Sequence, residues 1–69
     1  MIALVINGEP RELPDGACAA DGVRAGGVEG DARGVAVAVD GEVVPRGEWQ
    51  TTSLAQGARV EVLQAVQGG

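Results

Sequence analysis

The chain has 69 residues, 45% of them apolar, and a formal net charge of -5. That length makes one small domain with a thin core, too small to enclose a deep ligand cavity. The acidic balance excludes nucleic-acid binding, which needs a basic footprint, and favours partners with basic docking faces. There is no histidine and no lysine; the five cations are all arginine. The commonest general base and metal ligand is therefore missing, and no lysine side chain can receive an isopeptide bond. The ten acidic residues show no metal-ligand spacing and read as a solvated face. Cys18 is single, which points to a reducing compartment without a structural disulfide. No run approaches the roughly 20 apolar residues of a membrane span, and the apolar start is too short for a signal peptide. The expected compartment is the cytoplasm.

In chain order, Ile2–Ile6 is an apolar, β-branched run of strand length. Asn7-Gly8 then predicts a two-residue hairpin, because both central positions need positive φ. Glu9–Leu13 is the returning strand, and Pro10 puts it at a sheet edge. Pro14-Asp15-Gly16 is a turn. A helix is predicted over Ala17–Gly26, with Asp15 complementing the dipole near its start. Its apolar stripe is thin, Gly22 weakens it, and it must be held by packing. Cys18 there is expected to serve as a small buried hydrophobe. The stretch Val28–Gly34 reads as a loop.

The alternating run Val35–Val39 is apolar throughout and predicts a central strand buried on both faces. Asp40-Gly41 is a second tight turn, and Glu42–Val44 a short return strand stopped by Pro45. Arg46–Trp49 is one helical turn or an irregular corner, where Trp49 plugs the core edge and its indole N–H seeks a backbone acceptor. Thr51–Leu54 is extended or loop, and Gln56-Gly57 a turn. Arg59–Val66 is the last strand, with Val60 and Val62 inward. The alternation slips at Leu63, the point where the strand is expected to leave the body. The layout is α+β, one helix packed on a mixed sheet of four to five strands. Residues 1–66 form the domain and 67–69 a tail.

That tail is Gln67-Gly68-Gly69. Two terminal glycines present an α-carboxylate with no side chain to obstruct a narrow channel. Composition alone gives such an ending in roughly 3% of chains, so the ending decides nothing by itself. Four residues, Val66–Gly69, reach about 13–14 Å when extended, enough to put a carboxylate inside another protein's active site. The ionised carboxylate is a poor electrophile until activated. Leu63, Ala65 and Val66 are candidates for an apolar docking patch or for core.

Several runs together carry a family resemblance: Val35–Val39, then Asp40-Gly41-Glu42-Val43-Val44-Pro45-Arg46, Trp49, Gly57 before Val60-Glu61-Val62, and the Gly-Gly end. The sequence resembles the ubiquitin-like, β-grasp sulfur carriers, most closely the ThiS family of thiamin thiazole biosynthesis. One segment departs: Cys18–Gly27 has no leucine, where the family usually has a leucine-rich helix. The resemblance implies a carrier that is not itself an enzyme and holds no cofactor or metal. A partner adenylating enzyme would use ATP and magnesium to activate the Gly69 carboxylate. A cysteine desulfurase or other sulfur donor would convert it to a thiocarboxylate, and a thiazole synthase would take the sulfur. Gly69 is then the loaded group, Gly68 its slim neighbour, and Gln67, Val66 and Leu63 the partner contacts. The small subunit of molybdopterin synthase, a protein modifier and a plain interaction domain are the alternatives. A free monomer is the expected state.

Overall fold

A computed structural model describes residues 1–28 and 34–64. The strands are β1 (Ile2–Ile6), β2 (Glu9–Leu13), β3 (Val35–Val39), β4 (Glu42–Val44) and β5 (Arg59–Gln64). The helix α1 covers Ala19–Ala25, and a single 3₁₀ turn covers Arg46–Glu48. The sheet order is β2-β1-β5-β3-β4, so five strands form one mixed sheet. The first and last strands pair in parallel, Val5 with Arg59 and Ile6 with Val60. All other pairs are antiparallel.

Both tight turns form as the sequence predicts. Asn7 and Gly8 have φ of 51° and 81°, and Asp40 and Gly41 have 51° and 87°, the positive values this hairpin type demands. Pro10 lies on β2, an edge strand, where its missing N–H costs no interior ladder bond.

The core is one layer between α1 and the inner face of the sheet. Leu4 and Ile6 from β1, Val60 and Val62 from β5, Val37 from β3 and Val44 from β4 meet Ala19 and Val23 of α1. Trp49, Leu54 and Ala58 close the margin. Trp49 Nε1 donates to the Val44 carbonyl at 3.0 Å, the backbone acceptor a buried indole requires. Arg46 lies over its ring, 5.4 Å from the centroid.

Five expectations need correction. The helix is shorter than Ala17–Gly26, because Ala17 is buried and its carbonyl accepts the Leu54 N–H at 2.9 Å. Cys18 is the N-cap, with extended φ and ψ, and Gly26 the C-cap. Cys18 is thus only half-buried, and its thiol reaches the Asp21 carboxylate at 3.4 Å instead of filling the core. Asp15 does not serve the helix; it pairs with the Met1 amine at 3.0 Å. Asp21, one turn in, accepts the Cys18 backbone N–H instead.

The remaining two corrections concern strands. The central strand is β5, not Val35–Val39. In β3 only Val37 is fully buried and Ala36 is exposed, because one helix covers one face of the sheet. Nor does the chain leave the body at Leu63. The pairs Leu63–Ala36 and Gln64–Val35 continue the ladder. Leu63 keeps the alternation and points outward.

Candidate functional site

The parallel centre decides where the chain end goes. β5 runs the same way as β1, so it emerges at the pole where β1 turns into its hairpin and where β3 begins. The helix accompanies it in the same direction: a Cβ on Gly22 would lie 3.5 Å from Val60, and one on Gly26 3.2 Å from Val62. Glycine at position 26 is what lets the last helical turn sit on β5 just before the exit. At the opposite pole Asp40 pins the start of β5. Its Oδ1 accepts the Arg59 N–H at 2.9 Å, and its own N–H donates to the Arg59 carbonyl at 2.8 Å.

β1 ends too early to follow β5 to the exit. Asn7 makes up part of the difference, its Oδ1 accepting the Val62 N–H at 2.8 Å. One residue thus makes the hairpin turn and extends the central ladder. The sequence signals only the first role, because the second depends on which strand lies beside β1.

The outer face of the sheet is uncovered near the exit. Leu63 is 70% exposed and Val43 75% exposed. The register sets Ala36 beside Leu63, and Ala38 between Glu61 and Val43. Two alanines thus make a low floor between two larger apolar side chains. Val5, Asn7, Gly8, Arg59, Glu61 and Leu63 line an open groove along β1 and β5. Leu63, Ala36, Ala38 and Val43 thus form an apolar strip, with Glu61 and Arg59 of the central strand beside it, a mixed surface suited to docking. The sequence flagged Leu63; it missed Val43, Ala36 and Ala38. The alternation of Val with Ala in β3 was the available signal, one large face and one small.

Gly69, Gly68, Gln67 and Val66 lie outside the described residues, as do Ala65 and residues 29–33 of the expected loop. Among the described residues, no group of three or more Asp, Glu, Cys or His side chains is arranged to hold a metal ion. No described helix is long and apolar enough to cross a membrane. Asp21 is held ionised at the helix start. The Cys18 backbone N–H, then the Arg24 guanidinium, hold its carboxyl below the usual range against a small opposing effect of burial. Its position at the helix start, away from the exit, makes it a structural cap.

A five-stranded mixed sheet with parallel first and last strands and one helix across it is the ubiquitin-like β-grasp, here with its last strand leading to a Gly-Gly end. The chain belongs to the ThiS family, whose family model matches residues 4–69. A solved structure of a thiamine biosynthesis protein (ThiS) from Geobacter metallireducens is similar throughout. It has 28% sequence identity and a TM-score of 0.77, with 99% of this chain and 100% of that chain covered. Comparison with curated protein sequences gives no match.

Proposed function

We propose that the protein is a sulfur carrier for thiamin thiazole synthesis, with the Gly69 carboxylate as its cargo site. The observation that supports this reading is the exit of the central strand at Gln64, beside an uncovered apolar strip, in a member of the ThiS family whose sequence ends in Gly-Gly. A carboxylate oxygen of Gly69 attacks the α-phosphorus of ATP in a partner adenylating enzyme that also holds magnesium. Pyrophosphate leaves and an acyl-adenylate forms, which gives the acyl carbon the leaving group an ionised carboxylate lacks. A sulfur nucleophile then attacks that carbon and AMP departs. Sulfide gives the thiocarboxylate directly. A persulfide from a cysteine desulfurase gives an acyl disulfide, which a thiol must reduce. A thiazole synthase consumes the thiocarboxylate sulfur and returns the carrier. The chain supplies no acid or base; it is co-substrate, not enzyme.

In this reading Leu63 and the apolar outer face dock the successive partners in the cytoplasm. Val66, Gln67 and Gly68 line the approach to the reacting carbon, with Gly68 slim enough for a narrow channel. The test is an intact-mass measurement after incubation with ATP, magnesium, an adenylating enzyme and a sulfur source. A shift equal to one oxygen replaced by sulfur is expected. No shift with a demonstrably active partner rejects the carrier reading, and conjugates to other proteins in extract indicate a modifier instead. Appending one alanine after Gly69 moves the carboxylate past the reacting position and abolishes the shift with the fold unchanged.

A further inference from the structure

An activated acyl group is attacked by the nearest amine, thiol or hydroxyl. The sequence holds few of these: no lysine, one cysteine, Thr51, Thr52, Ser53, and the α-amine of Met1. Arginine stays protonated and does not compete.

All of them cluster at one pole. The Met1 amine is ion-paired to Asp15 in the loop that leads to α1. Cys18 caps the same end of the helix and bridges to Ser53. The Thr52 carbonyl accepts the Ala19 N–H at 2.8 Å, which ties that segment to the helix start. The Thr51 and Thr52 hydroxyls both donate to the Glu48 carbonyl.

The chain end leaves from the other pole, and the gap can be measured along the sheet. Gln64 lies five strand positions beyond Arg59, while Met1 lies four positions before Val5, the partner of Arg59. At 3.3 Å per position the two are about 30 Å apart. The five residues after Gln64 span about 18 Å at most. Cys18 is closer but still shielded. Gly22 sits beside Val60. With a 1.5 Å helical rise and a 3.3 Å strand rise, Cys18 is about 19 Å from Gln64 along the axis. It also lies on the far side of the core layer, so a straight path is blocked.

We propose that the fold protects the chain's own activated end by holding every competing nucleophile at the opposite pole, so that the end is transferred only to another molecule. This rests on Gly69 being the activated group. The protection is geometric. Capture would form an amide, ester or thioester bond between the amine, hydroxyl or thiol and the Gly69 carbonyl carbon, expel the leaving group and release one proton. Nothing in the chain's chemistry forbids that step; only distance and the intervening core do.

The test needs no adenylating enzyme, so its outcome is separate from that of the carrier assay. Release of the chain from an intein fusion by a small thiol gives a Gly69 thioester, which is incubated in dilute solution and read by intact mass. The folded wild type is expected to yield only the hydrolysed acid. Gln64→Lys places one amine at the exit, with an effective concentration on the order of millimolar. It is expected to yield a second product, lighter than the acid by one water. Unfolding the wild type in urea frees Cys18 and the Met1 amine to reach the thioester and yields the same lighter mass, which Cys18→Ala with an acetylated N-terminus removes. A lighter product from the folded wild type overturns the proposal. So does the acid alone from both Gln64→Lys and the urea-unfolded chain, because placement would then not be what protects the end.

Discussion

Asp21 accepts the Cys18 backbone N–H through Oδ2 at 2.9 Å, while Arg24 donates to its Oδ1. These bonds favour the ionised carboxylate in the folded state and lower its pKa. Its contribution to stability is therefore fully present above the unfolded carboxylate value, about 3.9. It is lost as the pH falls through the lower folded value. Asp21→Asn is expected to cost about 1 kcal/mol at neutral pH, a typical loss for a helix-start contact. Its urea midpoint should begin to converge with that of wild type below about pH 4 and meet it only below the lower folded value; a constant gap down to that point would refute the charge argument. Trp49→Phe removes the donor from the Val44 carbonyl. A loss of about 1–2 kcal/mol is expected, seen as a melting temperature lower by roughly 5–10 °C. The role of Trp49 was legible because a lone buried indole must find an acceptor. The role of Asp21 was not, since Asp15 and Asp21 flank the same helix start. Only the path of Ala17 into the core shows which one lies in the first turn.

The helix is the element with the least sequence support and the closest fit to the sheet. Gly22 and Gly26 look equivalent in the sequence, yet the packing separates them. A Cβ at Gly22 would meet Leu54 Cδ1 at 3.3 Å, the far end of a side chain that can turn aside. Gly22→Ala gains about 1 kcal/mol of helix propensity and should raise the urea midpoint or leave it unchanged. A Cβ at Gly26 would meet Val62 Cγ2 and Cβ at 3.2 and 3.3 Å, against a β-branched residue in the central strand. Gly26→Ala should destabilise by about 1–3 kcal/mol through overpacking. If both substitutions move stability the same way, the close approach of α1 to β5 is not the constraint described. The strands were legible from period and turn chemistry. The number of faces they bury was not, because the Val-Ala alternation of β3 is apolar on both.

For the whole molecule, the proposed carrier role makes the open outer face and the chain end parts of one recognition event. Leu63 is 70% exposed, so Leu63→Asp should leave the melting temperature within a degree or two. It should raise the KM for the carrier in the adenylation assay about tenfold, the loss of roughly 1.4 kcal/mol of binding. Val43→Asp, across the alanine floor, should act in the same direction. An unchanged KM for both would remove the outer face from the docking surface. Neighbouring hairpins could be read from the sequence. The pairing of the first strand with the last could not, because nothing local specifies partners so far apart.

That pairing bears on how the molecule comes into being. The bond between Asn7 and Val62 joins residues 55 positions apart, and β5 is the middle of the sheet. Non-local closure of this kind is slow and comes late. A growing chain can form its first hairpin on the ribosome, but the sheet has no centre until Arg59–Gln64 has been made. A product cut short before β5 has no central strand for β1 and β3 to pair with, and is left unfolded for proteases. Folding therefore works as an inspection of synthesis: every molecule that passes already carries the strand that leads to its Gly-Gly end.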